Sequence, residues 1–179
     1  RSQTVRLHGL MQILLTLAKM EEDMQQLPME HFSFSELLEE SIQPFYEAAA
    51  LKGILIETKI CADTGIYANR EYMQRLLSIL FDNAVKYTDS DGSMIVSLKK
   101  TEHKVILKVK NTCSELPQQD AEKLFDRFYR GDSARTQKNG GYGIGLSAAY
   151  AIVKAHKGEI SAAYADGNAI EFTVKIDGH

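Results

Sequence analysis

The chain has 179 residues, of which 44% are hydrophobic and 25% charged, so it is long enough to bury the core of one globular domain with a helical appendage. A net charge of −3 gives no reason to expect nucleic acid as a partner. Cys61 and Cys113 are too few for a disulfide framework, and no apolar run approaches the roughly 20 residues that cross a bilayer. Because the chain begins with Arg1 rather than Met, we expect it to be part of a longer protein whose membrane anchor lies elsewhere.

The first predicted element is a helix from about Thr4 to Gln26. Its apolar residues recur at alternating spacings of three and four and form a narrow, heptad-like stripe: Leu7, Leu10, Leu14, Leu17 and Met24. Such a stripe needs a second helix to cover it, which favours a helix bundle. The alternative is an ordinary amphipathic helix that packs on the core of this domain.

After Pro28, which ends that helix, strands and helices alternate up to residue 87. In chain order, the patterns predict an edge strand at His31–Phe34, a helix capped by Ser35 that stops near Gly53, a strand at Ile54–Ile60, a turn at Thr64 and Gly65, and a helix from Arg70 to about Tyr87 capped by Asn69.

The Arg70–Tyr87 helix carries polar residues beside its apolar face. Asn83 and Lys86 lie within LFDNAVKYT, and an asparagine in a helix interior is usually a solvated residue. The functional alternative is that the Asn83 oxygen binds a metal such as Mg²⁺ while Lys86 supplies positive charge for a phosphate.

Two alternating segments, Ser93–Lys99 and Lys104–Lys110, predict a hairpin. The following segment ends in the aromatic and basic sequence FDRFYR. Its aromatic side chains, Phe125, Phe128 and Tyr129, are expected to be packing anchors rather than ligand contacts. Arg130, at the end of this segment, has the donors to reach a terminal phosphate.

Four glycines, Gly140, Gly141, Gly143 and Gly145, crowd into six residues just before a periodic apolar run that predicts a helix. Glycines at a helix start let the backbone approach an anion, and the free N–H groups of the first turn point at it. The spacing fits neither the dinucleotide fingerprint nor the Walker loop, in which Leu146 would have to be lysine. A simple surface turn remains the alternative. The polar segment between Arg130 and Asn139 is interpreted as a mobile lid.

His156 ends this helix, where we expect a partly positive imidazole to suit the negative end of the helix dipole. Two further strands, Glu159–Tyr164 and Ala169–Ile176, close the domain.

Taken together, the sequence resembles the ATP-binding catalytic domain of bacterial sensor histidine kinases, members of the superfamily that includes type II topoisomerases, mismatch-repair ATPases and heat-shock chaperones. LFDNAVKYT is similar to the family's N box, KLFDRFYRGDSAR to its F box, and GGYGIGLSAAYAIVKAHKG to its second glycine box. The three motifs occur in the family's order, and the resemblance covers about residues 4–176.

The resemblance implies an α+β fold, a Bergerat-type two-layer sandwich with a mixed sheet, helices on one face and an ATP lid. It implies ATP and Mg²⁺ as cofactors, with Asn83 as metal ligand and Lys86 and Arg130 as catalytic residues. It further implies these ATP contacts: Asn83, Lys86, Tyr87, Asn111, Leu116, Phe128, Arg130, Gly141, Tyr142, Gly143, Ile144, Gly145 and Leu146.

Three departures from the family pattern stand out. Asn111, Cys113 and Glu115 occupy the positions of Asp-x-Gly-x-Gly in the first glycine box, so the contact to the adenine amino group loses its charge. Ile79 lies one turn before Asn83, where related ATPases have a Glu that activates water, so efficient hydrolysis is not expected. No phosphoacceptor His motif is present, since the context of His8 does not match it.

We therefore expect residues 1–27 to be the C-terminal helix of a dimerisation and phosphoacceptor hairpin, and residues 28–179 to be the catalytic domain. The implied function is transfer of the γ-phosphoryl group of Mg·ATP to a histidine outside this chain, for relay to a response regulator. The implied setting is the cytoplasmic part of a membrane-anchored, homodimeric sensor. The alternative is a degenerate, nucleotide-free docking module, and an anti-sigma serine kinase is disfavoured by the F box.

Overall fold

The computed structural model describes residues 26–116, 121–125 and 144–178, together with positions 11, 14, 15, 18, 19, 22 and 23. The strands are β1 (Glu30–Ser33), β2 (Leu55–Ile60), β3 (Gly65–Ala68), β4 (Ser93–Lys100), β5 (Lys104–Thr112), β6 (Glu159–Ala165) and β7 (Ala169–Asp177). The helices are α1 (Phe34–Leu51), α2 (Arg70–Tyr87) and α3 (Ile144–Ala155), with a short 3-10 helix at Ala121–Phe125.

Five strands form one mixed sheet in the order β2-β4-β5-β7-β6. Strands β2 and β4 are parallel, and every other neighbouring pair is antiparallel. The parallel pair is joined through α2, as a parallel connection requires, whereas the antiparallel pairs β4-β5 and β6-β7 are hairpins. A separate two-stranded antiparallel sheet pairs β1 with β3.

The helices form a layer on one face of the five-stranded sheet. Helix α2 is central, because it contacts α1, α3 and strand β5. Alternation along β5 turns Val105, Leu107 and Val109 into the core under this layer, while Lys108 and Lys110 face the other side. Asn111 takes the next inward position, so the apolar row of the central strand ends in a buried amide.

The expected α+β sandwich with a mixed sheet and helices on one face is confirmed. Two local expectations were wrong. The segment after Thr64 is strand β3 rather than only a turn, since its four residues pair with β1 and are too few to show a period. The cap of α1 is Ser33, whose hydroxyl accepts from the N–H of Glu36 at 3.2 Å, while Ser35 accepts from the N–H of Thr64.

The predicted leading helix falls mostly outside the described residues, so the division at residue 27 stays a prediction. No helix among the described ranges has both the length and the apolar character that crossing a membrane demands.

Gly92 lies in the connection between α2 and β4, where the backbone is closely packed. A Cβ atom there would be 2.6 Å from both Thr112 Oγ1 and Thr88 Cγ2 and 2.8 Å from the carbonyl oxygen of Asp89. We predict that Gly92→Ala lowers the free energy of unfolding by about 1–3 kcal/mol, because backbone must move to make room. Urea unfolding measures the loss. Ser90→Ala, an exposed change in the same turn, is the control, and equal stability of the two variants would contradict the prediction.

Candidate functional site

Helix α2 carries three of the predicted site residues, Asn83, Lys86 and Tyr87, in its last two turns. Its start is set as the sequence predicts, with Asn69 Oδ1 accepting from the N–H of Tyr72 at 2.9 Å. The apolar face of the helix is buried against the sheet and its neighbouring helices, and Asn83 is half-buried at the border of that face. Lys86 and Tyr87 are exposed.

The C-terminal end of α2 is fixed by a residue that the sequence does not point to. Lys52 Nζ donates to the carbonyl oxygen of Val85 at 2.8 Å and to that of Lys86 at 3.2 Å. An ammonium group here satisfies carbonyl groups that have no partner within the helix and favours the negative end of its dipole. Burial lowers the pKa of Lys52, and the charge of Asp89 opposes that shift. Nothing local in the sequence indicates a partner 33 residues away.

Lys86 forms an ion pair with Asp82, one turn earlier, with Nζ 2.9 Å from Oδ2. Both side chains are about half exposed, and such pairs contribute only about 0.3–0.5 kcal/mol. The pair therefore holds the ammonium group near the end of α2 without preventing it from turning to a stronger anion.

The start of α3 lies against α2, one turn before Asn83. A Cβ atom built on Gly145 would be 3.5 Å from Cγ2 of Ile79. Since Ile79 and Asn83 are four residues apart on one helix face, the glycine-rich helix start and Asn83 lie beside the same gap. The first turn of α3 contains no acidic residue, so its positive end is not neutralised locally. Leu146 is half-buried and packs against the core.

The buried amide of Asn111 has an unused acceptor. The residue is 1% exposed, and Oδ1 has no hydrogen-bond partner among the described residues. Its Nδ2 donates to the carbonyl oxygen of Thr112 at 3.5 Å, the outer limit of a hydrogen bond. Leaving a buried acceptor unpaired costs roughly 1–3 kcal/mol, which a donor on a bound ligand would offset.

The segment after β5 is anchored to the end of α2 and to the last hairpin. The N–H of Ser114 donates to the carboxylate of Asp89, and the N–H of Cys113 donates to Asn168 O at 2.8 Å. Burial, then the charge of Asp89, raises the pKa of Cys113, so its thiol stays protonated and serves in packing. Leu116, the next predicted contact, is half-buried. Asn111 and the end of α2 are therefore held together.

Phe125 is a packing anchor, as predicted. It is buried, with its ring centroid 5.9 Å from those of Phe172 in β7 and Tyr150 in α3. Five predicted contacts lie outside the described residues, as does the side chain of Ile144: Phe128, Arg130, Gly141, Tyr142 and Gly143.

The expectation of a partly positive His156 was wrong. Its Nε2 accepts from the N–H of Asn69 at 3.1 Å, which leaves the proton on Nδ1, 2.7 Å from the carbonyl oxygen of Ile152. Burial lowers the pKa of His156, opposed by the bond to Ile152. A neutral ring therefore ties the end of α3 to the start of α2, because the buried position outweighs the helix dipole.

This tie predicts a pH-dependent stability. Because the pKa of His156 is lower in the folded chain than the usual value of about 6.5, the unfolded chain takes up a proton first as the pH falls, and the stabilisation fades below that pH. We expect His156→Leu to lose about 1–3 kcal/mol at pH 8 and the gap to the wild type to narrow at pH 5.5. Urea unfolding at both values measures this, with His103→Leu as an exposed control. A gap that widens in acid would contradict it.

Comparisons with known proteins agree with this arrangement. A family described as "Histidine kinase-, DNA gyrase B-, and HSP90-like ATPase" matches residues 68–178. Sensor protein CiaH of Streptococcus pneumoniae serotype 4 is 40% identical over 111 residues, 62% of this chain and 25% of CiaH. The histidine kinase AdeS of Acinetobacter baumannii has a TM-score of 0.74 at 26% identity, over 98% of this chain and 80% of AdeS. The histidine kinase ThkA in complex with response regulator protein TrrA has a TM-score of 0.75 at 22% identity, over 98% of this chain and 49% of that one.

The family match includes all of α2, β5 and α3, the three elements that border the site. The resemblance to sensor histidine kinases is thereby confirmed, although the chain spans only 25% of the length of CiaH. The chain belongs to the family of histidine kinase-, DNA gyrase B- and HSP90-like ATPases.

Proposed function

We propose that this chain is the ATP-binding kinase domain of a two-component sensor histidine kinase. It binds Mg·ATP and transfers the γ-phosphoryl group to a histidine outside the chain. The observation that carries the proposal is the contact of Gly145 with Ile79, which brings the glycine-rich start of α3 beside Asn83. Two motifs that are far apart in sequence thus border one gap, as a shared triphosphate requires.

Each side of this gap has a chemical role in the proposal. The Asn83 oxygen ligates Mg²⁺, Lys86 leaves Asp82 to neutralise phosphate charge, and the first N–H groups of α3 bind phosphate oxygens. The described residues contain no group of three or more His, Cys, Asp or Glu able to hold a metal, so most Mg²⁺ ligands come from the nucleotide and water. Arg130 approaches the γ-phosphate, and Gly141 and Gly143 extend the backbone contacts.

The base lies near the inner end of β5. Asn111 Oδ1, the unpaired acceptor, receives the adenine amino group, so burying the base satisfies a polar atom that is otherwise costly. Other residues of the proposed pocket give apolar or aromatic contact: Tyr87, Leu116, Phe128, Tyr142, Ile144 and Leu146.

The proposed chemistry requires positioning and charge neutralisation more than proton transfer. An imidazole nitrogen is itself a nucleophile, so a histidine acceptor needs no carboxylate base on α2. Ile79, which cannot activate water, then disfavours hydrolysis and preserves the phosphoryl group for the histidine. The substitution that argues against an ATP hydrolase is compatible with a kinase.

The proposed partners follow from the relatives. ThkA was solved with a response regulator, and the likeness to AdeS covers 98% of this chain, more than the family match at residues 68–178. These comparisons support residues 1–27 as a helix of the dimerisation hairpin, with a homodimer, a response regulator and a membrane anchor in the complete protein. The nucleotide-free docking module gains no support, because these relatives are sensors or kinases by name.

The test is phosphoryl transfer in trans. The chain is incubated with Mg²⁺, [γ-³²P]ATP and the separate dimerisation domain of a sensor kinase relative, with that domain carrying His→Ala as control. We expect label on the intact domain only, in a bond that acid cleaves and alkali does not. Label on neither domain, together with no binding of ATP by the folded chain, would support the docking module instead.

A further inference from the structure

An amide at position 111 differs from a carboxylate in offering a donor as well as an acceptor. We propose that Asn111 makes this site read both purine types, so that nucleotides with a 6-oxo group, such as hypoxanthine, bind alongside those with the 6-amino group of adenine. The inference rests on the proposed function and concerns the base specificity of the same site.

The backbone of Asn111 is held firmly, whereas its amide group is not. Asn111 pairs with Met94 on β4 and with Ile170 on β7, so strands on both sides fix its main chain. The side chain is 1% exposed, and its one hydrogen bond runs from Nδ2 to Thr112 O at 3.5 Å. Oδ1 has no partner in the described part of the chain.

The neighbours do not impose an orientation on this amide. Met94, Val109 and Ile170, which surround it on the inward face of the sheet, are apolar and buried. Rotating the amide by half a turn exchanges Oδ1 and Nδ2 and gives up only the long contact to Thr112. The bound base, rather than the protein, therefore sets which atom faces it.

The two purine edges are inverted in their hydrogen-bonding sense. Adenine presents an N–H donor at position 6 and an acceptor at N1, whereas hypoxanthine presents an acceptor at position 6 and an N–H donor at N1. An amide complements either edge by turning over, but a carboxylate only accepts and is repelled by a 6-oxo group. Asn111 is thus a specificity-determining residue that widens the choice of base.

Calorimetric titration with Mg·ADP and Mg·IDP tests this, because the two ligands carry the same diphosphate and ribose. We expect the wild-type dissociation constants to lie within about tenfold of each other. In Asn111→Asp, we expect the preference for ADP to rise at least about tenfold through loss of IDP binding. Asn111→Leu, which has neither donor nor acceptor, should bind both more weakly and keep their ratio near that of the wild type.

A wild-type preference for ADP greater than about tenfold would overturn the inference while leaving nucleotide binding intact. An unchanged ratio in Asn111→Asp would overturn it as well. If the Asp variant fails to fold by circular dichroism, the wild-type ratio alone decides. Binding of neither ligand by folded wild type would instead overturn the proposed function on which the inference rests.

Discussion

Asn83→Ala is expected to weaken Mg-nucleotide binding and phosphoryl transfer at least about 100-fold while leaving the fold intact. Asn83 is half-buried at the edge of the core face of α2, and its side chain donates or accepts no hydrogen bond among those found in the described residues. Losing it should therefore cost little stability. Losing a metal ligand and the charge balance it supports removes electrostatic stabilisation worth roughly 10²–10³ in rate at such sites.

The measurements are calorimetric titration with Mg·ADP and the rate of transfer in trans. Gln74→Ala is the matched control, since it removes an exposed amide from the same helix far from the site. It should bind and react as the wild type does. An Asn83→Ala variant that binds Mg·ADP within threefold of the wild type would remove Asn83 from the site.

Phe125→Ala is expected to cause the largest loss of stability, about 3–5 kcal/mol. The ring of Phe125 is buried between Phe172 and Tyr150 and attaches the segment before the predicted lid to both β7 and α3. Removing it opens a cavity and two aromatic contacts are lost. In a chain of this size each kcal/mol lowers the melting temperature by about 2–4 °C.

Thermal unfolding followed by circular dichroism measures the effect of Phe125→Ala, with Phe125→Leu as the control that keeps most of the apolar volume. The leucine variant should lose clearly less stability than the alanine variant. Equal melting temperatures for wild type and Phe125→Ala would show that Phe125 does not pack as described.

The helices and hairpins could be predicted where periodicity and punctuation agree. The bounds of α2 follow from Asn69 as cap and from a steady apolar face, and the hairpin β6-β7 follows from the turn at Gly167. The short pair β1 and β3 could not be predicted fully, because β3 has four residues and is defined by its pairing with β1 rather than by its own pattern.

The candidate site was only partly readable from the chain. Asn83 and the glycine cluster attract attention by composition, but only the structure places Gly145 against Ile79. Lys52 and His156 act on groups 33 and 87 residues away, and no local rule connects such positions. The charge of His156 was misjudged because the helix dipole can be read from sequence, whereas burial cannot.

The central claim is that one nucleotide lies between the end of α2 and the start of α3. Its most direct test is an NMR titration of ¹⁵N-labelled chain with Mg·ADP, following the side-chain amide of Asn83 and the backbone N–H of Gly145. We predict that both signals shift and saturate together, while the side-chain amide of Gln74 stays in place. Saturating Mg·ADP that moves only one of the two signals, or neither, would contradict the account.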